Sequence, residues 1–343
     1  MANKKIRVAI NGFGRIGRQF FKASSESDAI EIVAINDLSD IDNIRYLLAH
    51  DTVYGSYDKK VEVVDGSLLV GGAQIQYLSE KDPAKLPWKE LSIDIVIEST
   101  GFFTSYEKAK AHLDAGAERV VISAPAKDEE ETPTLTPNVN MKAATLARIT
   151  SNASCTTNAV VPIVAILMES VGVTHSLLNT IHSYTSTQSI VDGPSKDYRK
   201  GRSAAQNIVP TSTGAAIAAA KAIPGMKNKF DGVAVRVPVP AGSLIDFTFV
   251  AERPTTVEEI NTILKTAARK DEWKGIFTVT EEPLVSSDII RNPHGSLADL
   301  ALTRVVGGTL VKVMSWYDNE WGYVHMLLKH VESLIPLLPE TNA

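Results

Sequence analysis

Ile6-Arg7-Val8-Ala9-Ile10-Asn11-Gly12-Phe13-Gly14-Arg15-Ile16-Gly17 is the stretch that decides the fold. Ile6 to Ile10 reads as a buried strand, and Arg15 to about Ser24 as the helix that follows a glycine turn. The turn has G-x-G-x-x-G spacing, a weak signal by itself in a chain with 21 glycines. Its place between an apolar strand and an amphipathic helix is what the spacing needs. Gly12 allows the tight turn, Gly14 lets the backbone approach a pyrophosphate, and Gly17 lets the helix pack close to the strand. The free N–H groups at the helix start then receive the anion. Asp37 follows twenty residues after Gly17, where its carboxylate can bond both ribose hydroxyls. A carboxylate there repels a 2′-phosphate, so NAD is favoured over NADP.

Outward from that turn, Ile30–Ile35, Ile93–Glu98 and Arg119–Ser123 repeat the short apolar pattern with longer connections between them. Strands alternating with crossovers predict an α/β class, with a parallel sheet covered by helices on both faces. Val61–Val64 and Gln74–Tyr77 suggest a small antiparallel excursion. A boundary is expected near Ser151, followed by a helix through TTNAVVPIVAILMES with Pro162 near the end of its first turn. Leu177–Ile181 leads into His182. Ser183–Arg202 is polar and aperiodic, long for an idle loop, which suggests binding or an interface. VAVRVPV, SLIDFTFVAE and TLVKVMSWY read as further strands, with a helix over Thr256–Ala268. Glu320 to about Leu334 is apolar at helical spacing and is expected to return to the first domain.

The 343 residues suit two domains, and 44% hydrophobic with 22% charged content is that of a folded globular chain. A formal charge of -5 gives no general support to a nucleic-acid or anionic-membrane surface. No stretch reaches the roughly 18 to 20 apolar residues of a membrane span. The basic start MANKKIRVAI carries too short an apolar run for a secretory leader, so a cytoplasmic protein is expected.

Cys155 is the only cysteine, which excludes an intrachain disulfide and a multi-cysteine zinc site. It stands among small polar residues, SNASCTTN, at a predicted helix start. There the amide groups and dipole favour a thiolate and can stabilise an oxyanion. A buried structural cysteine usually has apolar neighbours instead. His182 is its candidate partner. A Cys–His pair alone fits acyl transfer or peptide hydrolysis equally well. The dinucleotide turn separates them, because a thiol adduct beside a hydride acceptor describes oxidation of an aldehyde to a thioester.

With those residues in view, the chain resembles the phosphorylating glyceraldehyde-3-phosphate dehydrogenase family along essentially its whole length. NGFGRIGR at 11–18, SNASCTTN at 151–158, PTSTGAA at 210–216 and WYDNEWGY at 316–323 occur in the family's order. The resemblance implies a Rossmann NAD-binding domain over 1–154 and an α+β catalytic domain with a mixed sheet over 155–314. It also implies a returning C-terminal helix within 315–343, and a homotetramer. Cys155 is implied as nucleophile, with His182 as its base and ion-pair partner. A hemithioacetal would yield its hydride to the nicotinamide, and phosphate would release the thioester as 1,3-bisphosphoglycerate.

Thr185 and Arg236 are implied for the substrate's phosphate, Ser154, Arg202, Thr213 and Gly214 for inorganic phosphate, and Thr156 for the substrate and phosphate sites without assignment to either. For NAD the implied set is Asn11, Gly12, Phe13, Gly14, Arg15, Ile16, Gly17, Asp37, Lys81, Ser99, Thr100 and Ser123. Asn319 is implied to orient the nicotinamide carboxamide, with Tyr323 nearby. Trp316 and Trp321 read as core aromatics. No metal is expected.

The chain departs from the family pattern at Ala159, where a second cysteine is common, at Thr187, in place of a frequent Asp, and across PAGSLIDFT at 240–248. Leu38 and Pro194 resemble the NAD-preferring forms. The alternatives are an erythrose-4-phosphate dehydrogenase of the same architecture, or a non-catalytic moonlighting binding protein.

Overall fold

The computed structural model describes residues 5–128 and 131–339, so the expected domain limits at 1 and 343 lie outside the described residues. The chain divides into two compact units. One takes Met1–Leu135, Met141–Ala153 and Leu327–Ala343, the other Thr136–Asn140 and Ser154–Met326.

The first unit carries an eight-stranded sheet. Its spatial order is Ile149–Ser151, Arg119–Ile122, Ile95–Glu98, Ile6–Asn11, Ile30–Asn36, Ala73–Leu78, Ser67–Val70 and Val61–Val64. The first six strands run parallel, and their central members read as near-continuous apolar runs because both faces are covered. The antiparallel excursion differs from the sequence reading. Val61–Val64 does not meet the Ala73–Leu78 strand, since Ser67–Val70 lies between and pairs with both. Two turns with Gly66, Gly71 and Gly72 at positive φ make those reversals.

The second unit holds a mixed seven-stranded sheet. The order is Val209–Ser212, Phe230–Val237, His175–Ser183, Ser243–Val250, Leu310–Tyr317, Ser296–Val306 and Phe277–Thr280. The first strand and the last two in that order went unnamed in the sequence reading. Cys155–Ser170, Ala215–Ala222 and Val257–Ala267 pack their apolar sides on one face, where Val160, Ile163, Val164 and Leu167 meet Phe247, Phe249 and Val313. Alternation sends Leu177, Val233, Val250 and Leu310 to the other face, where they are exposed. Thr256 caps the Val257–Ala267 helix by accepting from the Glu259 amide. Pro162 is not in a first turn: the helix begins at Cys155, so Pro162 lies in its third turn and forgoes a bond to the Asn158 carbonyl.

The C-terminal helix is Trp321–Leu334, and its residues from Leu327 onward belong to the first unit. There His330 is fully buried, 3.1 Å from both the Asn152 Oδ1 and the Thr150 Oγ1. Burial pushes it down to about 3. Between the unfolded value near 6.5 and that folded value, the unfolded chain takes up a proton the folded one refuses. Stability is therefore lost as pH falls through this window, by about 1.4 kcal/mol per unit. In urea titrations at pH 7 and pH 5, the parent should lose about 2 kcal/mol more than His330→Gln. An equal loss in the two proteins would show that His330 does not carry the acid sensitivity.

Candidate active site

In the first unit the glycine turn is built for an anion. Gly12 sits at φ +92°, and a Cβ there would lie 2.6 Å from the Thr100 amide nitrogen. A Cβ on Gly17 would overlap the Gly12 carbonyl oxygen, whereas one on Gly14 would meet nothing within 4 Å. Two glycines thus permit close packing, and the third leaves open backbone at the start of the Arg15–Ser24 helix. That is the cradle a pyrophosphate needs.

Asp37 is held beside it. Its Oδ2 accepts from the Phe13 amide at 2.7 Å and its Oδ1 from the Ser39 amide at 2.9 Å. Ser99 Oγ donates to the Gly12 carbonyl at 2.6 Å, tying the turn to the neighbouring strand end. Ser123 is half-buried at the end of the next strand, its amide bonded to the Glu98 carbonyl. Arg15 places its guanidinium 2.6 Å from the Asp51 carboxylate and over the Tyr54 ring. Ile16 is half-buried and Lys81 exposed.

Beneath the turn lies a buried carboxylate that sequence reasoning missed. Glu98 accepts from Asn11 Nδ2 at 2.6 Å, from the Thr100 amide at 2.8 Å, and from the Thr100 hydroxyl. Trp88 Nε1 donates to His112 Nδ1 at 3.0 Å, which leaves the His112 hydrogen on Nε2, 3.1 Å from Glu98. Asn36 Nδ2 donates to Asn11 Oδ1 at 2.7 Å. Asn11 and Thr100, both expected at the cofactor, are therefore fixed by one buried network. A glutamate closing the apolar run IDIVIE was the available signal.

In the second unit, Ser154 caps the Cys155–Ser170 helix by accepting from the Thr157 amide at 3.1 Å. Cys155 is its first residue, half-buried, and its Sγ lies 3.3 Å from His182 Nε2. His182 comes from the His175–Ser183 strand and is buried. Its Nδ1 is 2.7 Å from the Ser183 carbonyl, to which Arg236 Nη1 also donates at 2.9 Å. Arg236 is brought there by parallel pairing of His182 with Arg236, and its Nη1 is 2.5 Å from Nδ1. In the tautomer that donates Nδ1–H to this carbonyl, Nε2 turns a lone pair to the thiol.

Burial pushes His182 down to about 3, and the Arg236 charge acts in the same direction. Burial pushes the Cys155 thiol up, against Arg236 and the hydroxyl and amide of Thr156. Desolvation thus works against the ion pair implied by resemblance, while Arg236 and the Thr156 groups favour the thiolate. Low local dielectric raises the cost of each charge there and strengthens the attraction between them at the same time.

The expected phosphate residues divide. Thr185 is half-buried with its hydroxyl 2.9 Å from that of Thr187. Thr213 accepts from the Ala215 amide at 3.2 Å, and Gly214 caps the Ala215–Ala222 helix. Thr156 instead turns its hydroxyl inward to Tyr317, at 3.0 Å. The side chain of Arg202 is 62% exposed and pairs with Asp192 at 2.8 Å, so it forms a surface ion pair here.

Within WYDNEWGY the fully buried aromatic is Tyr317, while Trp316 and Trp321 are half-buried and so are not the core aromatics expected. The Tyr317 ring stands edge-on to His182, and its hydroxyl also meets Thr180. Tyr323 is buried. Asn319 Oδ1 accepts from Ser243 Oγ at 2.9 Å, and that hydroxyl accepts from the Ser183 amide at 3.1 Å. The departure at 240–248 therefore keeps a regular strand and a hydroxyl joining Ser183 to Asn319.

Among the described residues, no His, Cys, Asp or Glu cluster could hold a metal, and no helix is long and apolar enough to cross a membrane.

A dinucleotide cradle on a parallel sheet in one unit, and a helix-borne thiol against an imidazole in the other, are features of an α/β NAD-binding dehydrogenase. Residues 6–106 match the NAD binding domain of glyceraldehyde 3-phosphate dehydrogenase, and 154–319 match its C-terminal domain. The glyceraldehyde-3-phosphate dehydrogenase of Streptomyces coelicolor is 48% identical over 94% of this chain and 96% of that protein. That of Geobacillus stearothermophilus is 46% identical over the same shares, and glyceraldehyde-3-phosphate dehydrogenase 1 of Bacillus subtilis 46% over 93% and 95%. The chain belongs to the glyceraldehyde 3-phosphate dehydrogenase family, and NAD is its cofactor.

Proposed function

We propose that the chain oxidises glyceraldehyde 3-phosphate to 1,3-bisphosphoglycerate, with reduction of NAD, through a thioester on Cys155. The observation that carries this reading is the 3.3 Å approach of Cys155 Sγ to the free lone pair of His182 Nε2, in a member of this family. Sγ adds to the aldehyde carbon while Nε2 takes the thiol proton and returns it to the carbonyl oxygen, giving a hemithioacetal. Nε2 then accepts the hemithioacetal hydroxyl proton as the C–H bond breaks and a thioester forms. Bound NAD supplies the hydride acceptor for that step. Inorganic phosphate attacks the thioester, the C–S bond breaks, and the imidazolium returns its proton to the leaving thiolate.

Thr185 and Arg236 are assigned to the substrate phosphate, and Ser154, Thr213 and Gly214 to inorganic phosphate. Arg236 has a second consequence. A phosphate dianion paired with its guanidinium offsets the charge that holds His182 down, so substrate binding raises the basicity of Nε2. On the cofactor side, Asn11, Gly12, Phe13, Gly14, Asp37, Ser99 and Thr100 are assigned to NAD, with Asn319 toward the carboxamide. Ser243 donates to Asn319 Oδ1 and so fixes which end of the amide carries the Nδ2 donor.

We also assign the chain to the cytoplasm as a homotetramer. The exposed apolar residues Leu177, Val233, Val250 and Leu310 on one sheet face support self-association, which the particle mass in solution tests.

NADH formation from the aldehyde should depend on phosphate or arsenate, with little steady turnover when both are absent. Unchanged turnover without them would mean that water resolves the thioester, and would point to a hydrolytic dehydrogenase of the same architecture.

A further inference from the structure

We propose that Tyr77 is a positioning residue that sets the preference for NAD over NADP by anchoring the turn that carries Asp37. Tyr77 lies on the Ala73–Leu78 strand, paired with Ile35, two residues before Asp37. Its hydroxyl is 3.0 Å from the Asp37 carbonyl and 2.6 Å from the Ser39 carbonyl. The ends of the turn are held by the Asp37 amide, bonded to the Leu78 carbonyl, and by Asp40, which caps the Ile41–Ala49 helix, but between them Leu38 is 61% exposed and Ser39 is exposed too. No buried apolar side chain roots these residues, so polar bonds fix their backbone.

Those bonds act from two sides. The Phe13 and Ser39 amides hold the Asp37 carboxylate, and the tyrosine hydroxyl holds the main chain behind it. Burial, together with the carboxylates of Asp37 and Asp40, pushes Tyr77 up to about 12, so it stays a hydrogen-bond donor through the working pH range.

Discrimination at this turn is a matter of rigidity as well as charge. Two ribose hydroxyls can donate to Asp37 where it stands. A 2′-phosphate meets like charge, and relief requires the carboxylate to swing away or the turn to retreat. With Tyr77 in place, retreat breaks the hydrogen bond that its hydroxyl shares between the Asp37 and Ser39 carbonyls. The inference rests on the assignment of Asp37 to the cofactor's ribose.

Tyr77→Phe removes the hydroxyl and keeps the ring. Dissociation constants for NAD and NADP are measured by calorimetry, without aldehyde or phosphate, in the parent, Tyr77→Phe, Asp37→Ala and the double variant. The NADP-to-NAD ratio should fall about 2- to 10-fold in Tyr77→Phe, the range expected for loss of one hydrogen bond. In the Asp37→Ala background the same change should leave the ratio unaltered, because the group being positioned is gone. An unchanged ratio in Tyr77→Phe overturns the proposal, as does an equal change with and without Asp37. Because no aldehyde is present, failure of the dehydrogenase reading shows separately, as absence of phosphate-dependent NADH formation.

Discussion

Cys155→Ser should abolish aldehyde oxidation almost completely, by on the order of 10⁴- to 10⁶-fold, while leaving folding and NAD affinity largely intact. Serine fits the first position of the Cys155–Ser170 helix, and Ser154 still supplies the cap. What is lost is the nucleophile. Its hydroxyl ionises far above the thiol, and a neutral imidazole whose basicity is held down cannot make up the difference. The decisive measurement is a burst without phosphate. The parent should release about one NADH per site as the thioester accumulates. Iodoacetamide can modify only Cys155, the sole thiol, and prior alkylation should remove the burst. A full burst from the serine variant or the alkylated parent would rule out a covalent thioester.

His182→Asn should slow hydride transfer by about 10²- to 10⁴-fold, the usual worth of general acid–base assistance. The thiol remains, but nothing at 3.3 Å takes its proton or that of the hemithioacetal. Since burial already pushes the thiol up, alkylation in the variant should be slow near neutral pH and climb as the solution becomes alkaline. The parent should be faster at neutral pH, and the two curves should converge once hydroxide ionises the thiol unaided. Unchanged labelling and burst rates at neutral pH would make His182 a structural residue, held by Ser183 and Tyr317.

Much of this was legible in the chain because the signals are local. A glycine turn must follow its strand directly, and a thiol among SNASCTTN must start the helix that follows. Asp37 was readable from its spacing, since the end of a second parallel strand returns to the first turn. The parallel core and the dinucleotide turn were therefore determined by sequence alone, and the sequence offered Cys155 with His182 as its candidate partner. Tertiary structure decided what depends on residues far apart. Glu98 and His112 join Asn11 only because strands at 6–11 and 95–98 pair and a helix covers them. Tyr77 reaches Asp37 only through the pairing of strands separated in the chain by about forty residues. Arg236 meets His182 through parallel register, and burial, with the Arg236 charge, pushes the imidazole's basicity down. A residue's protonation answers to the dielectric and the charges around it, and those exist only once the chain has folded.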